Sequence, residues 1–434
     1  MFRKSYVIWF ILVPDIVLMY IGLFLAVYIR YGHGLPGAAI SAHVRAFSVI
    51  YGAWLVVFFI HNLFDVATFR RYSVLFFNLT AAMAVNVFVA IAYFYFQPGL
   101  ILTPRRFLLV DVLVVFVLVL GWHVMVKYLL RNRFTEGLYL LSFNRELADL
   151  EREIKQRDYL GYKILGHLSE QTLLERTFDK NFSIILPDNI EASQAVVRRL
   201  YALRKRGVVF YNHKLFYENL LRRIYISQVD EVWFLENINY SEKKFYTLVK
   251  RGMDVLAGLF GLVLCVVTFP VLALLVRLSS PGPILFIQER VGLRGQLFKV
   301  YKYRTMTGPV TNTWTAVSDP RITRVGRFLR VSRLDELPQC VNVLLGNMSL
   351  VGPRPEQPHI VDTLSKDIPF YTERHMVKPG LTGWAQINNV YAASVQETRQ
   401  KLQYDLYYIK HRSFLFDLEI ILKTVYYVLS WKGR

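Results

Sequence analysis

Two adjacent carboxylates are the residues of this sequence best placed to do chemistry. Asp335 and Glu336 stand shortly before Pro338, a residue that favours the first turn of a helix because its missing N–H is not needed there. Carboxylates at a helix N-terminus are stabilised by the helix dipole and by free backbone N–H groups. The pair is therefore either a simple helix cap or an ionised group that acts on a substrate.

Basic residues lie on both sides of this pair. Arg330 and Arg333 precede it, and Arg354 follows in a loop stiffened by Pro353 and Pro355. Arginine suits phosphate oxygens, and a loop that is ordered before binding loses less entropy when it holds one. We expect these arginines to bind phosphate beside the carboxylates.

A second basic segment combines cations with aromatic residues. Lys299, Lys302 and Arg304 alternate with tyrosine and valine, a mixture that suits phosphate binding at a membrane boundary. A solvated basic face is the alternative interpretation.

Arginines also recur at every third residue from Arg321 to Arg333, as they do in voltage-sensor helices. In an α-helix each three-residue step lags by about 60°, so the five side chains spread around most of the circumference. The run contains Gly326 and is too short to span a membrane. We predict a short helix whose last arginines, Arg330 and Arg333, approach the carboxylates; a voltage-gated protein or transporter is the competing class.

The chain that carries these residues is long, apolar and basic. Of its 434 residues 54% are hydrophobic and 19% are charged, and the formal net charge is +20. This composition excludes a disordered or fibrous chain and indicates a membrane protein with an anionic partner. Nucleic acid fits the charge alone, so no nucleic-acid partner is predicted.

Four apolar stretches come first, each close to the ~20 residues that cross a ~30 Å hydrocarbon core. They predict a four-helix transmembrane bundle over residues 1–133, with spans near 6–28, 47–63, 74–96 and 107–130. Asp15 and Asp111 lie within or at the edge of these stretches. A carboxylate there is either functional or a polar contact between helices.

Residues 134–245 alternate strands with helices, which predicts a small α/β domain with a parallel sheet. The predicted strands are 138–141, 162–165, 182–186 and 208–211. The turn at 141–145 contains no glycine, so we do not expect the pyrophosphate cradle of a nucleotide-binding Rossmann domain. We interpret the domain as a degenerate Rossmann-like unit with a structural or regulatory role.

A fifth apolar run, residues 255–276, is interrupted by Pro270, which removes a helical hydrogen bond and bends the chain. A straight span would carry the following basic segment, with 21 Lys or Arg against 12 Asp or Glu, to the far side of the membrane. We predict instead a re-entrant helix over about 252–278 that begins a mostly α-helical monotopic catalytic domain, residues 246–434. The last part, 404–432, is predicted to form helices on the membrane surface.

From about Leu248 to the end, the chain resembles the bacterial sugar transferases, the monotopic polyprenyl-phosphate hexose-1-phosphate transferases or phosphoglycosyl transferases. The resembling motifs, besides the Pro270 helix, are Ser280–Pro283, Phe298–Met306, Leu334–Gln339, Asn342–Leu344, Met348–Pro355 and Lys378–Gln386. The bundle and the α/β domain resemble the N-terminal extension of the large members.

The resemblance implies transfer of a sugar 1-phosphate from a UDP-sugar to undecaprenyl phosphate with release of UMP, which opens capsule, exopolysaccharide or O-antigen-type synthesis. Asp335 matches the nucleophile that forms a phosphosugar–aspartyl intermediate. Glu336 matches the second carboxylate, which aids proton removal or holds Mg²⁺; both carboxylates are assigned as Mg²⁺ contacts. Phosphate binding is assigned to Lys302, Arg304, Arg330, Arg333, Arg354 and Lys378.

One departure from the family concerns an arginine. Many members continue Trp-Ala-Gln with Val-Asn-Gly-Arg, whereas this chain has Ile387-Asn-Asn-Val390. Either Lys378 or another cation substitutes for the missing arginine, or the donor preference differs. An inactive membrane scaffold is thus a third class, and homo-oligomerisation stays open. The expected location is the bacterial inner membrane, with the catalytic domain on the cytoplasmic face.

Overall fold

The computed structural model of the chain divides into two compact units, Met1–Leu220 and Leu221–Arg434. The residues it describes are 2–32, 37–61, 63–64, 72–96, 104–130, 136–141, 147–156, 161–178, 182–187, 193–226, 229–238, 244–308, 319–388 and 394–429.

Long apolar helices open the first unit. They are α1 (Phe2–Tyr31), α2 (Gly37–Ile60), α3 (Tyr72–Phe96) and α4 (Pro104–Leu130). Each contains a stretch long and apolar enough to cross a membrane, which confirms the four predicted spans. Large side chains such as Phe47, Trp54 and Phe58 are fully buried between them.

The two carboxylates of these helices make polar contacts between helices. Asp15 on α1 lies 2.9 Å from Nε2 of His123 on α4. The Tyr51 hydroxyl on α2 donates to Oδ1 of Asp111 on α4 at 2.7 Å. Each buried carboxylate is thus engaged by a side chain from a neighbouring helix.

A small α/β region follows, and its strands form a parallel sheet in the order β2-β1-β3-β4, as predicted. Its elements are β1 (Glu136–Leu141), α5 (Leu147–Gln156), β2 (Tyr162–Leu168), α6 (Glu170–Glu175), β3 (Phe182–Leu186), α7 (Gln194–Lys205), β4 (Val209–Asn212) and α8 (His213–Leu221). β1 and β3 are the two central strands and are buried along nearly their whole length, as is usual in a parallel sheet. The glycine-free turn after β1 lies outside the described residues.

The second unit is mostly helical, with an antiparallel β5–β6 hairpin and a parallel β7–β8 pair. Its elements are α9 (Glu231–Asn237), α10 (Lys244–Ser279), β5 (Leu285–Val291), β6 (Leu297–Tyr303), α11 (Arg324–Val331), α12 (Cys340–Leu345), β7 (Ser349–Val351), α13 (Pro358–Asp367), β8 (Gly380–Thr382), α14 (Trp384–Ile387), α15 (Val395–His411) and α16 (Phe414–Leu429). Residues from Leu221 onward belong to this unit, since the Trp384 indole donates to the Arg222 carbonyl at 2.9 Å.

Helix α10, which contains Pro270, is the fifth helix long and apolar enough to cross a membrane. Near its start, Asp254 accepts hydrogen bonds from the Ser349 hydroxyl at 3.0 Å and from the backbone N–H of Leu350 at 2.8 Å. Near its end, Val276 packs in one apolar cluster with Tyr303. Both ends of α10 therefore contact the same unit.

The predicted membrane-surface position is wrong for α15. Nine of its residues are buried, including Asp405, Tyr407 and Tyr408, because its polar groups bind partners inside the unit. The Tyr408 hydroxyl, for example, donates to Oδ1 of Asp417 at 2.8 Å. By contrast, α16 exposes Leu415 and other apolar side chains.

Candidate active site

The two candidate carboxylates lie in the first turn of a 3-10 helix, Leu334–Gln339, that runs directly into α12. Pro338 lies inside this turn, and Gly346 ends α12 with a φ of 86°. A left-handed residue after a helix is most easily a glycine, which explains why α12 ends at Gly346. Asp335 and Glu336 are held by rigid backbone that is itself buried.

Helix α11 brings its last arginines toward this turn. A Cβ on Gly326 would lie 2.0 Å from the Thr305 carbonyl oxygen, so only glycine permits this close approach of the helix to the end of β6. Across the contact, Nε of Arg330 donates to the Thr305 hydroxyl at 3.0 Å. Arg324 and Arg327 are exposed instead. Most of the arginine run thus lies in a helix of eight residues, which is too short to span a membrane.

Glu336 is the centre of a cluster of cations. Its Oε1 accepts from Nη2 of Arg354 at 2.7 Å and from Nζ of Lys302 at 3.1 Å, and Oε2 lies 3.7 Å from Arg333. Burial alone would raise the pKa of Glu336, but Arg354, Lys302 and Arg333 hold it well below its usual value. Glu336 is therefore firmly ionised, and it fixes these side chains around the turn.

Asp335 has a different environment. It is buried to 9% exposure, and within the described residues its carboxylate makes no hydrogen bond or ion pair. Burial and the neighbouring negative charge of Glu336 raise its pKa to about 6, against the opposing effect of Lys302 and Arg354. At neutral pH Asp335 is thus mostly ionised, surrounded by positive charge and available to react.

The loop that carries Arg354 is held by hydrogen bonds that other side chains donate to its backbone carbonyls. Nη2 of Arg374 donates to the Arg354 carbonyl at 2.9 Å and to Oδ2 of Asp405 at 2.8 Å. Nη1 of Arg290 donates to the carbonyl of Pro355 at 3.2 Å. Because buried, paired arginines rarely move, Arg354 is presented to Glu336 in a fixed position.

A further buried group anchors the same loop. Glu356 forms an ion pair with Lys401 and lies 3.6 Å from Arg290. Burial alone would raise its pKa, but Lys401, Arg374 and Arg290 hold it at about 2. Sequence reasoning missed the roles of Arg374, Lys401 and Asp405, since single charged residues scattered over 30 positions form no motif.

Two of the predicted phosphate-binding residues, Arg304 and Lys378, contact other parts of the second unit. Nη2 of Arg304 donates to the Ser280 carbonyl at 2.6 Å, which closes the turn after α10. Lys378 lies beside Gly346 and Arg251, and burial together with the Arg251 charge lowers its pKa. The position of the missing family arginine, near Val390, is outside the described residues.

Comparison with known proteins places this unit in a family. Residues 245–431 match the bacterial sugar transferase family. The chain is 44% identical over 191 residues to an Aeromonas hydrophila UDP-N-acetylgalactosamine-undecaprenyl-phosphate N-acetylgalactosaminephosphotransferase, covering 43% of this chain and 45% of that protein. It is 42% identical over 184 residues to the UDP-glucose:undecaprenyl-phosphate glucose-1-phosphate transferase of Escherichia coli K12, covering 41% and 40%.

A third relative is matched along nearly its whole length. The exopolysaccharide production protein PSS of Rhizobium leguminosarum is 38% identical over 190 residues, which cover 41% of this chain and 94% of that protein. The chain thus spans less than half the length of the first two relatives and almost all of the third. With the family match centred on the unit that holds the carboxylate pair, the chain belongs to the bacterial sugar transferases.

Proposed function

We propose that the protein transfers a sugar 1-phosphate from a UDP-sugar to undecaprenyl phosphate at a membrane. The observation that carries this proposal is Asp335, which has no hydrogen bond or ion pair among the described residues and lies beside a carboxylate that binds Lys302, Arg333 and Arg354. Such a site offers an anionic nucleophile and cations for phosphate oxygens. The names of the Aeromonas and Escherichia relatives support the two substrates, and that of the Rhizobium relative supports a role in exopolysaccharide synthesis.

In the first half-reaction an Asp335 oxygen attacks the phosphorus that bears the sugar. The bond from this phosphorus to the bridging oxygen breaks, and UMP leaves with that oxygen. Arg354 and Arg330 would hold the phosphate oxygens, whose charge spreads in the transition state. The product is a sugar phosphate joined to Asp335 through a new P–O bond.

In the second half-reaction a phosphate oxygen of undecaprenyl phosphate attacks the same phosphorus. The bond to Asp335 breaks, the carboxylate is regenerated and the lipid carries a diphosphate-linked sugar. A phosphate monoester with a second pKa near ~6 is largely dianionic at neutral pH and needs little help from a base. The low pKa of Glu336 therefore favours a role in holding cations over a role in proton removal.

These residues fit a magnesium ion that is held jointly by the protein and by the phosphates of the substrate. Within the described residues no group of three or more His, Cys, Asp or Glu side chains could hold a metal. Mg²⁺ commonly uses one or two carboxylates together with substrate phosphates, and Asp335, with Glu336 beside it, supplies such carboxylates. When bound, the ion would neutralise charge on the diphosphate of the donor.

The membrane topology is part of the proposal. Contacts from one unit to both Asp254 and Val276 support a re-entrant α10, because a straight span would carry its end to the opposite side of the membrane. We place the catalytic unit on the cytoplasmic face of the bacterial inner membrane, where UDP-sugars are made.

The strand order β2-β1-β3-β4 matches the flavodoxin-like order of doubly wound parallel sheets, 2-1-3-4-5, and differs from the 3-2-1-4 order of a Rossmann sheet, so it supports a doubly wound α/β domain. We propose a structural or regulatory role for this domain.

Release of UMP tests the proposed activity. The purified full chain in detergent with undecaprenyl phosphate, Mg²⁺ and a panel of UDP-sugars should release UMP with at least one donor. Asp335→Asn should reduce this rate by at least about 10³-fold, because a neutral amide cannot form the covalent intermediate.

The matched control is Asp362→Asn, which changes an exposed aspartate on α13 and should keep the wild-type rate. A trapped sugar phosphate on Asp335, detected by mass spectrometry after acceptor-free incubation, would support the two-step route. Undiminished turnover by a folded Asp335→Asn would contradict it.

A further inference from the structure

A partly open cavity of about 290 Å³ lies beside the candidate site, within the second unit. Glu336 and Arg333 line one part of it. Its other walls come from α10, α12, β8 and α16, so it lies between the apolar α10 and the last helix. The cavity thus begins where the phosphorus chemistry is proposed to occur.

Small residues on α10 form one wall. A Cβ on Gly258 would lie 2.8 Å from Cδ2 of Leu344, and one on Gly261 would lie 3.1 Å from the Cβ of Cys340. These glycines let α10 approach α12 closely, and Ala257 beside them also lines the space. On this side of the cavity, α10 therefore contributes only small residues to the lining.

The remaining walls are mostly apolar, with Leu337, Val343, Leu350, Ile421, Val425 and Val428 among them. The hydroxyls of Thr382 and Thr424 are already hydrogen-bonded to each other at 2.6 Å. A sugar would leave hydroxyls unpaired against such walls, which is costly. An apolar occupant, by contrast, is stabilised by about 25 cal/mol for each Å² removed from water.

The same helices also expose large apolar side chains on their outer sides. Phe260 and Val263 on α10, and Phe414 and Leu415 on α16, are exposed. A lipid that enters from the membrane between these helices meets the apolar walls first. Its anionic phosphate would then reach Arg333, which supplies the complementary charge.

We propose that this cavity binds the isoprene units nearest the phosphate of the polyprenyl acceptor, with the phosphate at Arg333 next to Asp335. The inference rests on the proposed function and adds to it a binding site for the tail of the acceptor. It also assigns Ala257, Thr424 and Val428 to acceptor binding. The donor sugar must then be bound elsewhere around the carboxylate pair.

Filling the cavity tests the proposal with the full chain in detergent. Val428→Trp and Ala257→Phe each place a large side chain in the lining, and two helices are altered in turn so that a folding defect in one variant leaves the other informative. Each should raise the KM for undecaprenyl phosphate by about tenfold or more, the equivalent of ~1.4 kcal/mol. The burst of UMP formed from UDP-sugar without acceptor should keep its wild-type amplitude and rate.

The matched control is Val263→Trp, the same exchange at an exposed position of α10 that does not line the cavity. It should keep the wild-type KM. An unchanged acceptor KM in both folded cavity variants would overturn the proposal, as would an equal loss of the acceptor-free burst, which would assign the cavity to the donor.

A separate binding measurement distinguishes this inference from the proposed function. If the wild type releases no UMP from any UDP-sugar, the proposed function fails. Native mass spectrometry with undecaprenyl phosphate then tests whether the cavity binds this lipid. Weaker binding by Val428→Trp than by wild type and Val263→Trp would support the site. Equal binding by all three would overturn it.

Discussion

The buried carboxylates of the first unit, Asp15 and Asp111, and the carboxylate pair of the candidate site have different surroundings. In the membrane helices Asp15 faces His123, and Asp111 accepts from Tyr51, so each has one partner on a neighbouring helix. In the second unit Glu336 draws three cations, whereas Asp335 beside it has no hydrogen bond or ion pair among the described residues.

This difference shows how burial can serve structure in one place and reactivity in another. A hydrogen-bond partner on a neighbouring helix ties a buried carboxylate into the packing of two helices. A carboxylate pair with more cations than it needs leaves positive charge for an anionic substrate and leaves one carboxylate reactive. The following predictions test whether the two groups really differ in this way.

Of the changes predicted below, removal of the negative charge of Glu336 should have the largest effect on activity. Glu336→Gln keeps the shape of the side chain but no longer pairs Lys302, Arg333 and Arg354, so their positions should shift. We expect kcat to fall about 10²-fold, within the range for loss of one group that organises a transition state. Steady-state UMP release measures it.

The matched control for this variant is Glu289→Gln, an exposed glutamate on β5 that should keep the wild-type rate. Loss of the Glu336 charge should also lower the pKa of Asp335, because that charge contributes to raising it. A Glu336→Gln enzyme with normal kcat would make Glu336 as purely structural as the bundle carboxylates.

Acid should inactivate the site while the fold persists. The pKa of Asp335 is about 6, so the rate of the acceptor-free UMP burst should be about tenfold lower at pH 5 than at pH 7. The burst is the appropriate measurement because it avoids titration of the acceptor phosphate.

The stability effect of the same group has the opposite sign. The folded-state pKa of Asp335 lies above its unfolded value, so protonation favours the folded state as the pH falls from about 6 toward 4. Circular dichroism should therefore show an intact fold at pH 5. Equal loss of helical signal and activity would attribute the acid effect to unfolding.

The smallest effect is expected in the membrane helices. Asp111→Asn keeps an oxygen that accepts from Tyr51, so turnover should change less than about twofold. Asp111→Leu removes this acceptor and should destabilise the bundle by about 1–3 kcal/mol without changing kcat. A large loss of turnover in folded Asp111→Asn would give this carboxylate a functional role and would contradict its purely structural assignment.

Much of the fold could be predicted because its signals are local. Apolar length identifies the membrane helices, and alternation of strands and helices identifies the sheet, with β3 at the predicted residues 182–186. The position of Asp335 and Glu336 at the start of a helical segment could be predicted from Pro338, whose backbone preference acts over a few residues.

The rest depends on contacts between residues distant in the chain. Arg374 supports the Arg354 backbone from 20 residues away, and Asp405 pairs with it from a helix predicted to lie on the membrane. Arg304 differs from Lys302 by two positions yet bonds to the turn after α10. Residue type predicts the chemistry available to a side chain, but tertiary packing determines which residue it contacts.

The backbone of Arg333 has a consequence for the evolution of this protein. With a φ of 58° it holds a left-handed conformation, which costs a residue with a side chain ~1 kcal/mol and costs glycine almost nothing. Selection for thermal stability alone would therefore favour Arg333→Gly, which discards a cation of the site. At position 333 the stability of the backbone and the positive charge of the site thus favour different residues, as in a trade-off between stability and activity.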